Sequence, residues 1–95
     1  MEEDDFEWDD AKAASNRLKH DTTFEAAREA FKDVFAIEWM DHRQGDEERL
    51  ALLGMVENRL VFVSFTLRGE RIRIISARKP ESHERRRYHN ENREA

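Results

Sequence analysis

With 95 residues, 38% hydrophobic and 41% charged, the chain can bury one modest core, so a single domain over 1–95 is expected. It has no cysteine, which excludes disulfides and thiolate chemistry. Its formal net charge of −5 hides two opposite halves: residues 1–48 carry 6 Lys/Arg against 16 Asp/Glu, and residues 49–95 carry 11 against 6.

Residues 1–5, Met1-Glu2-Glu3-Asp4-Asp5, read as an acidic, frayed tip, the opposite of the basic start of a signal peptide. No apolar run approaches the ~20 residues that span a bilayer, so a cytoplasmic protein without membrane contact is expected. Phe6-Glu7-Trp8 alternates like a short strand, and Asp9 offers an N-cap to a first helix. There Ala11, Ala14 and Leu18 form an apolar stripe, while Lys12, Asn16, Lys19 and His20 line a polar face. Asp21-Thr22-Thr23 breaks the pattern. Phe24, Ala27, Phe31 and Phe35, with Ala30 and Val34, then repeat at helical spacing and read as core.

Ile37 to Asp41 reads as a strand and His42 to Glu47 as a polar loop. From Arg49 the period becomes two, predicting strands over 49–56, 60–67 and 71–78 joined by short polar hairpin loops. Pro80 opens a last helix from Glu81 to about Arg93, whose only sizeable apolar residue is Tyr88. So bare a helix must be held by Tyr88, by ion pairs involving Glu84, or by a partner. The order β-α-α-β-β-β-β-α makes an α+β fold: a mainly antiparallel sheet packed by the N-terminal helices, with a basic helix at the C-terminus.

The histidines, His20, His42, His83 and His89, show no metal-site spacing, and the glycines, Gly45, Gly54 and Gly69, form no phosphate loop. Neither a metal nor a cofactor is expected, and the serines lack the context of a nucleophile. What stands out is cationic: Arg71, Arg73, Arg78, Lys79, Arg85, Arg86 and Arg87. Strict alternation puts Arg71 and Arg73 on one face with Ile75 and Ala77, and Ile72 and Ile74 on the other with Ser76 and Arg78. The set reads either as a ladder of ion pairs, with Glu48, Glu57 or Glu70 as partners, or as a phosphate-binding floor.

Four blocks of the sequence resemble the BrnT family of type II toxin–antitoxin ribonucleases, which share a RelE-like fold. They are Phe6-Glu7-Trp8-Asp9 with Lys12, Asn16 and Lys19-His20; Phe24-Glu25-Ala26-Ala27 with Phe31; Glu48-Arg49 leading into a strand; and Arg73-Ile74-Ile75-Ser76-Ala77-Arg78 with Glu84-Arg85 and Tyr88. The resemblance implies a toxin that cleaves RNA and halts translation. It also implies a BrnA-type antitoxin with a ribbon-helix-helix DNA-binding part, held in a hetero-oligomer with the toxin. By motif match, the arginines tied to toxicity are Arg73, Arg78, Arg85 and Arg86.

The expected chemistry is metal-independent attack of a ribose 2′-hydroxyl on the adjacent phosphate. The arginines would stabilise the transition state, and Lys12, Lys19, Arg71, Lys79 and Arg87 would contact RNA. His20 and Tyr88 are the proton-carrier candidates, with Glu48 and His42 behind them. Structural roles compete: His20 can cap its helix, and Tyr88 can anchor the last one. A non-catalytic module gripping an acidic protein or RNA, or an obligate subunit, are the alternative functions.

Overall fold

The computed structural model describes residues 2–3 and 5–92. Met1 and Asp4 of the expected tip, and Arg93 at the expected end of the last helix, lie outside the described residues. The chain runs β1 (Glu2–Glu3), β2 (Phe6–Glu7), α1 (Asp10–His20), α2 (Phe24–Ala30), β3 (Ile37–Gln44), β4 (Glu47–Val56), β5 (Arg59–Arg68), β6 (Arg71–Arg78) and α3 (Ser82–Glu91). The class is α+β. Its mixed sheet is ordered β1-β2-β6-β5-β4-β3, with β3 to β6 an antiparallel meander and β2 parallel to β6.

Two expectations about strands change. Glu2–Glu3 pairs with Phe6–Glu7 instead of fraying. β3 continues through His42 to Gln44 because Gly45, at φ 64, lets the chain reverse at Gly45-Asp46. Polar side chains do not oppose this, since β3 is an edge strand facing water. The β4–β5 hairpin turns on Glu57 and Asn58, both left-handed at φ 47 and 69, the geometry that matches strand twist.

β4 and β5 are apolar on both faces because each face meets a helical layer. On one side, Leu52, Val61, Val63, Phe65, Ile74 and Ala77 pack with Trp8, Phe24, Ala27 and Ala30 beneath α1 and α2. On the other, Ala51, Leu53, Leu60 and Phe62 pack with Tyr88 of α3.

The N-terminal helices bury different residues from those the periodicity selects. Leu18 is 90% exposed and Ala11 and Ala14 lie in solvent, because α1 meets the sheet chiefly along β6. The residues turned inward are Ala13 and the buried Asn16. Asn16 donates to the carbonyls of Thr22 and Ala77 at 2.9 and 2.8 Å and accepts from the Ala77 amide at 3.2 Å. It supplies the edge bonds that β2, ending at Glu7, is too short to give β6. Likewise α2 stops at Ala30 in tight turns, so Phe31 packs between Phe6 and Phe65 while Val34 and Phe35 are exposed.

Candidate nucleic-acid interface

Arg73 and Arg78 are five residues apart, and a regular strand would point them to opposite faces. They share one, because β6 contains a bulge. Ser64 pairs with Ser76 but Phe65 pairs with Ile74, leaving Ile75 as the extra residue. The strict alternation expected for β6 is corrected accordingly: Ile72, Ile74 and Ala77 face α1 and α2, while Arg73, Ser76 and Arg78 face the α3 side. A second bulge, between Met40 and His42 on β3, turns His42 onto that same side.

The α3 side of the sheet is therefore ruled into rows. Under α3 runs an apolar row, Ile37, Leu53 and Phe62, ending at Arg78. Next comes Trp39, Ala51, Ser64 and Ser76. Beyond both bulges lies a polar row: His42 opposite Arg49, then Thr66 opposite Arg73, then Arg73 opposite Glu7. Thr66 donates to the Glu48 carbonyl at 2.9 Å, tying β5 to β4 at that level. α3 covers the apolar end of the face and leaves the polar end open.

Electrostatics divides the arginines into kinds. Arg78 makes two parallel bonds of 2.9 Å to Glu84, donates to the Lys79 carbonyl and lies 3.9 Å over the Phe62 ring. Burial opposes the charge on Glu84, but the Arg78 guanidinium and the Glu81 amide outweigh it and hold its pKa below the usual carboxylate range. The same bonds from Glu84 push Arg78 upward. Arg78 is a clamp between β6 and α3. Arg73 instead meets one partner, Glu7 Oε2, through Nη1 at 2.8 Å. Arg49 holds Glu47 through Nε at 3.0 Å. For Arg73 and Arg78 the partners are Glu7 and Glu84, in place of the expected Glu48, Glu57 and Glu70.

Other expected site residues are spread more widely. Arg85, Arg86 and Arg87 are consecutive on α3 and so point about 100° apart. Arg85 turns toward Pro80, whose carbonyl it meets at 3.5 Å; Arg87 stacks 4.1 Å over Trp39; Arg86 faces solvent, opposite the buried Glu84 and Tyr88. Lys79 and Arg85 border a concavity with Asn58, Arg59 and His89. Arg71 closes the β5–β6 hairpin opposite Arg68. Lys12, Lys19 and His20 belong to α1; Lys19 and His20 lie toward its C-terminal end, while Lys12 in its first turn acts, like Arg73, on the charge of Asp9.

Tyr88 is buried and donates to Asp33 Oδ2 at 2.6 Å. Burial and that carboxylate push its pKa up to about 12. A phenol so committed anchors α3 and is a poor proton carrier.

Glu81, His83 and Glu84 bring potential metal ligands within 4.8 Å of one another. Both Glu84 oxygens already serve Arg78, so a cation there would have to displace a guanidinium.

A family model described as the ribonuclease toxin BrnT of type II toxin–antitoxin systems matches residues 8–84. The chain belongs to the BrnT family. Among curated proteins the comparison finds no match. BrnT membership makes the chain one of a family of ribonuclease toxins, and a type II system pairs its toxin with a protein antitoxin. The BrnT match contains the whole polar row on β3 to β6 and ends at Glu84, before Arg85, Arg86 and Arg87. Among the described residues no helix is long and apolar enough to cross a membrane.

The sequence points to ion pairs of Glu84, and the BrnT-like blocks contain Glu7, Arg49 and Glu84. It does not show that Glu84 meets Arg78, that Glu7 meets Arg73, that Arg49 lies in the row of Arg73, or that Trp39 seats Arg87, because these depend on strand order and register.

Proposed function

We propose that this chain is a metal-independent endoribonuclease toxin of RelE-like fold, one domain acting in the cytoplasm. It cleaves RNA, halts translation and is neutralised by a BrnA-type ribbon-helix-helix antitoxin in a hetero-oligomer. The observation that carries this reading is the row in which Arg49 and Arg73, each about a fifth exposed, flank the buried Thr66 on the half of a sheet face that α3 leaves unroofed. Forked donors on a rigid sheet suit the charge that builds on non-bridging phosphate oxygens as the 2′-hydroxyl attacks.

Roles divide by how much of each arginine is already used. Arg73, held through one nitrogen, is the phosphate ligand. Arg78, with both terminal nitrogens on Glu84, positions α3 and keeps the roof in place. Arg87 on Trp39, with Arg71, Lys79, Arg85 and Arg86, forms a cationic surround along which an RNA strand is drawn.

The test is cleavage of RNA by purified protein in excess chelator, expected to proceed. Arg73→Ala should lower the rate about 10²–10³-fold. Wild-type protein that leaves RNA intact with and without added divalent cation would overturn the reading.

A second reading is favoured by the same ion pairs. Arg73 and Arg78 already accept carboxylates from Glu7 and Glu84, so a carboxylate-rich segment of an antitoxin fits these forks as well as phosphate does. On that reading the face is a binding module, and chelator-resistant cleavage is what separates it from the enzyme.

A further inference from the structure

We infer that His42, oriented by Asp41, is the base that takes the 2′-hydroxyl proton, with Arg49 beside it sharing the scissile phosphate with Arg73. The inference rests on the ribonuclease reading and supplies the proton carrier that reading lacks, since His20 lies on the far layer and Tyr88 is locked to Asp33.

Three observations converge on His42. The first is the pair of bulges. One lies on β3 and one on β6, and both fall between the Trp39–Ser76 row and the His42–Arg73 row. Each extra residue reverses the alternation and swings a basic side chain onto the same face from opposite ends of one row. Bulges beside functional sites re-aim side chains in this way. Without the β3 bulge, Asp41 would occupy the face and His42 would point away.

The second is the Asp41–His42 contact. His42 Nδ1 lies 3.0 Å from Asp41 Oδ2. An ionised carboxylate only accepts, so this contact selects the tautomer with its hydrogen on Nδ1, the form whose Nε2 lone pair is available. A carboxylate that fixes the tautomer and stabilises the cation formed is the arrangement a histidine base needs.

The third is the charge around the ring. Arg43 on the same strand meets Glu48 at 3.8 Å, and Arg49, directly across, meets Glu47 at 3.0 Å. Each carboxylate of β4 thus has its own cation; Asp41 bonds His42, and its charge is also felt by Arg78. Strands lie about 4.8 Å apart, so β3 and β6 are separated by about 14 Å at the backbone. A phosphate bridging Arg49 and Arg73, above the buried Thr66, falls between side chains reaching in from both ends.

The step balances without a metal. The O2′–P bond forms as the 2′-hydroxyl proton passes to Nε2; the P–O5′ bond breaks and the 5′-oxygen leaves with a proton from water. The products are a 2′,3′-cyclic phosphate and a 5′-hydroxyl. His42 then returns its proton to solvent.

The experiment compares wild type, His42→Ala, His42→Gln and Asp41→Asn, with folding checked by circular dichroism. Cleavage is followed on an RNA oligonucleotide, and affinity on the same oligonucleotide carrying a 2′-deoxy sugar at the scissile position. Both His42 variants are expected to lose about 10²–10⁴-fold in rate at unchanged affinity, and added imidazole should restore part of the His42→Ala activity. Asp41→Asn should lower kcat and spare KM. If wild type cleaves while either His42 variant cleaves equally well, or if affinity falls in step with rate, this assignment is overturned and the ribonuclease reading stands. If wild type cleaves nothing, both fall.

Discussion

Asp33 gathers hydrogen bonds from three parts of the chain. Its Oδ2 accepts from the Tyr88 hydroxyl at 2.6 Å and the Met55 amide at 2.7 Å, and its Oδ1 from the Phe35 amide at 2.9 Å. Burial opposes its charge, but these donors prevail and its pKa falls below the usual range. Asp33 and Glu84 therefore contribute stability that is complete above the ordinary carboxylate range and drains away as pH falls through their lowered values. Melting temperature should drop steeply on acidification below about pH 4, and less steeply in Asp33→Asn. Tyr88 works in the opposite sense: its folded pKa is raised, so its contribution is full below the ordinary phenol value and is lost toward about 12. Because the chain has 1 tyrosine, the near-ultraviolet titration of phenolate reports this group directly and should have its midpoint near 12. Tyr88→Phe should cost about 1–3 kcal/mol in denaturant unfolding, since Asp33 loses a donor it relies on.

At the scale of elements, α3 is secured by chemistry more than by grease. Its buried residues are Glu84 and Tyr88, and Asn92 just past its end donates to the Phe35 carbonyl at 3.2 Å. Arg78→Ala strands a buried carboxylate and should cost about 2–3 kcal/mol, less than the ~3–5 of a fully buried pair because Arg78 is partly wet. Loss of toxicity in that variant would follow from a loosened α3. Arg73 is no more exposed than Arg78 and its loss strands the part-buried Glu7, so Arg73→Ala should cost about 1–3 kcal/mol as well; thermal melting of both variants shows how much of each loss of activity is structural.

A second element contact is tighter. A methyl at Gly54 would strike the Ala30 carbonyl, so Gly54→Ala should push α2 off β4 and destabilise by about 1–3 kcal/mol. The last three strands of the meander were legible in the sequence because period-two apolar runs and short polar loops are strong signals, whereas the polar end of β3 read as loop. The face of α1 was not, since the residue it buries is the polar Asn16. Nor were the bulges, because Ile75 and Asp41 are ordinary residues whose extra place shows only in the register. That is why the arginine set could be recognised while its division into clamp and ligand could not.

For the whole molecule, the acidic first half and basic second half are interleaved by the topology. The acidic β2 docks beside β6 and delivers Glu7 to Arg73, while the open face keeps its cations. RNA should approach from the α3 side, and binding should weaken about 50-fold between ~50 and ~200 mM salt if four phosphates are contacted on a single strand. Filter binding across that range checks it; a flat response would place the cations elsewhere than on the binding face.

The parallel seam between β2 and β6 joins residues from opposite ends of the polypeptide, Glu7 with Arg73 and Asn16 with Ala77. During synthesis α2 can settle on β4 and β5 as they emerge, but α1, which packs chiefly on β6, must wait until nearly everything else has left the ribosome. A translation product cut short ahead of β6 lacks the arginine and the edge on which that seam forms. For a member of a ribonuclease toxin family, late closure of the seam means that the arginine row is completed only in finished molecules.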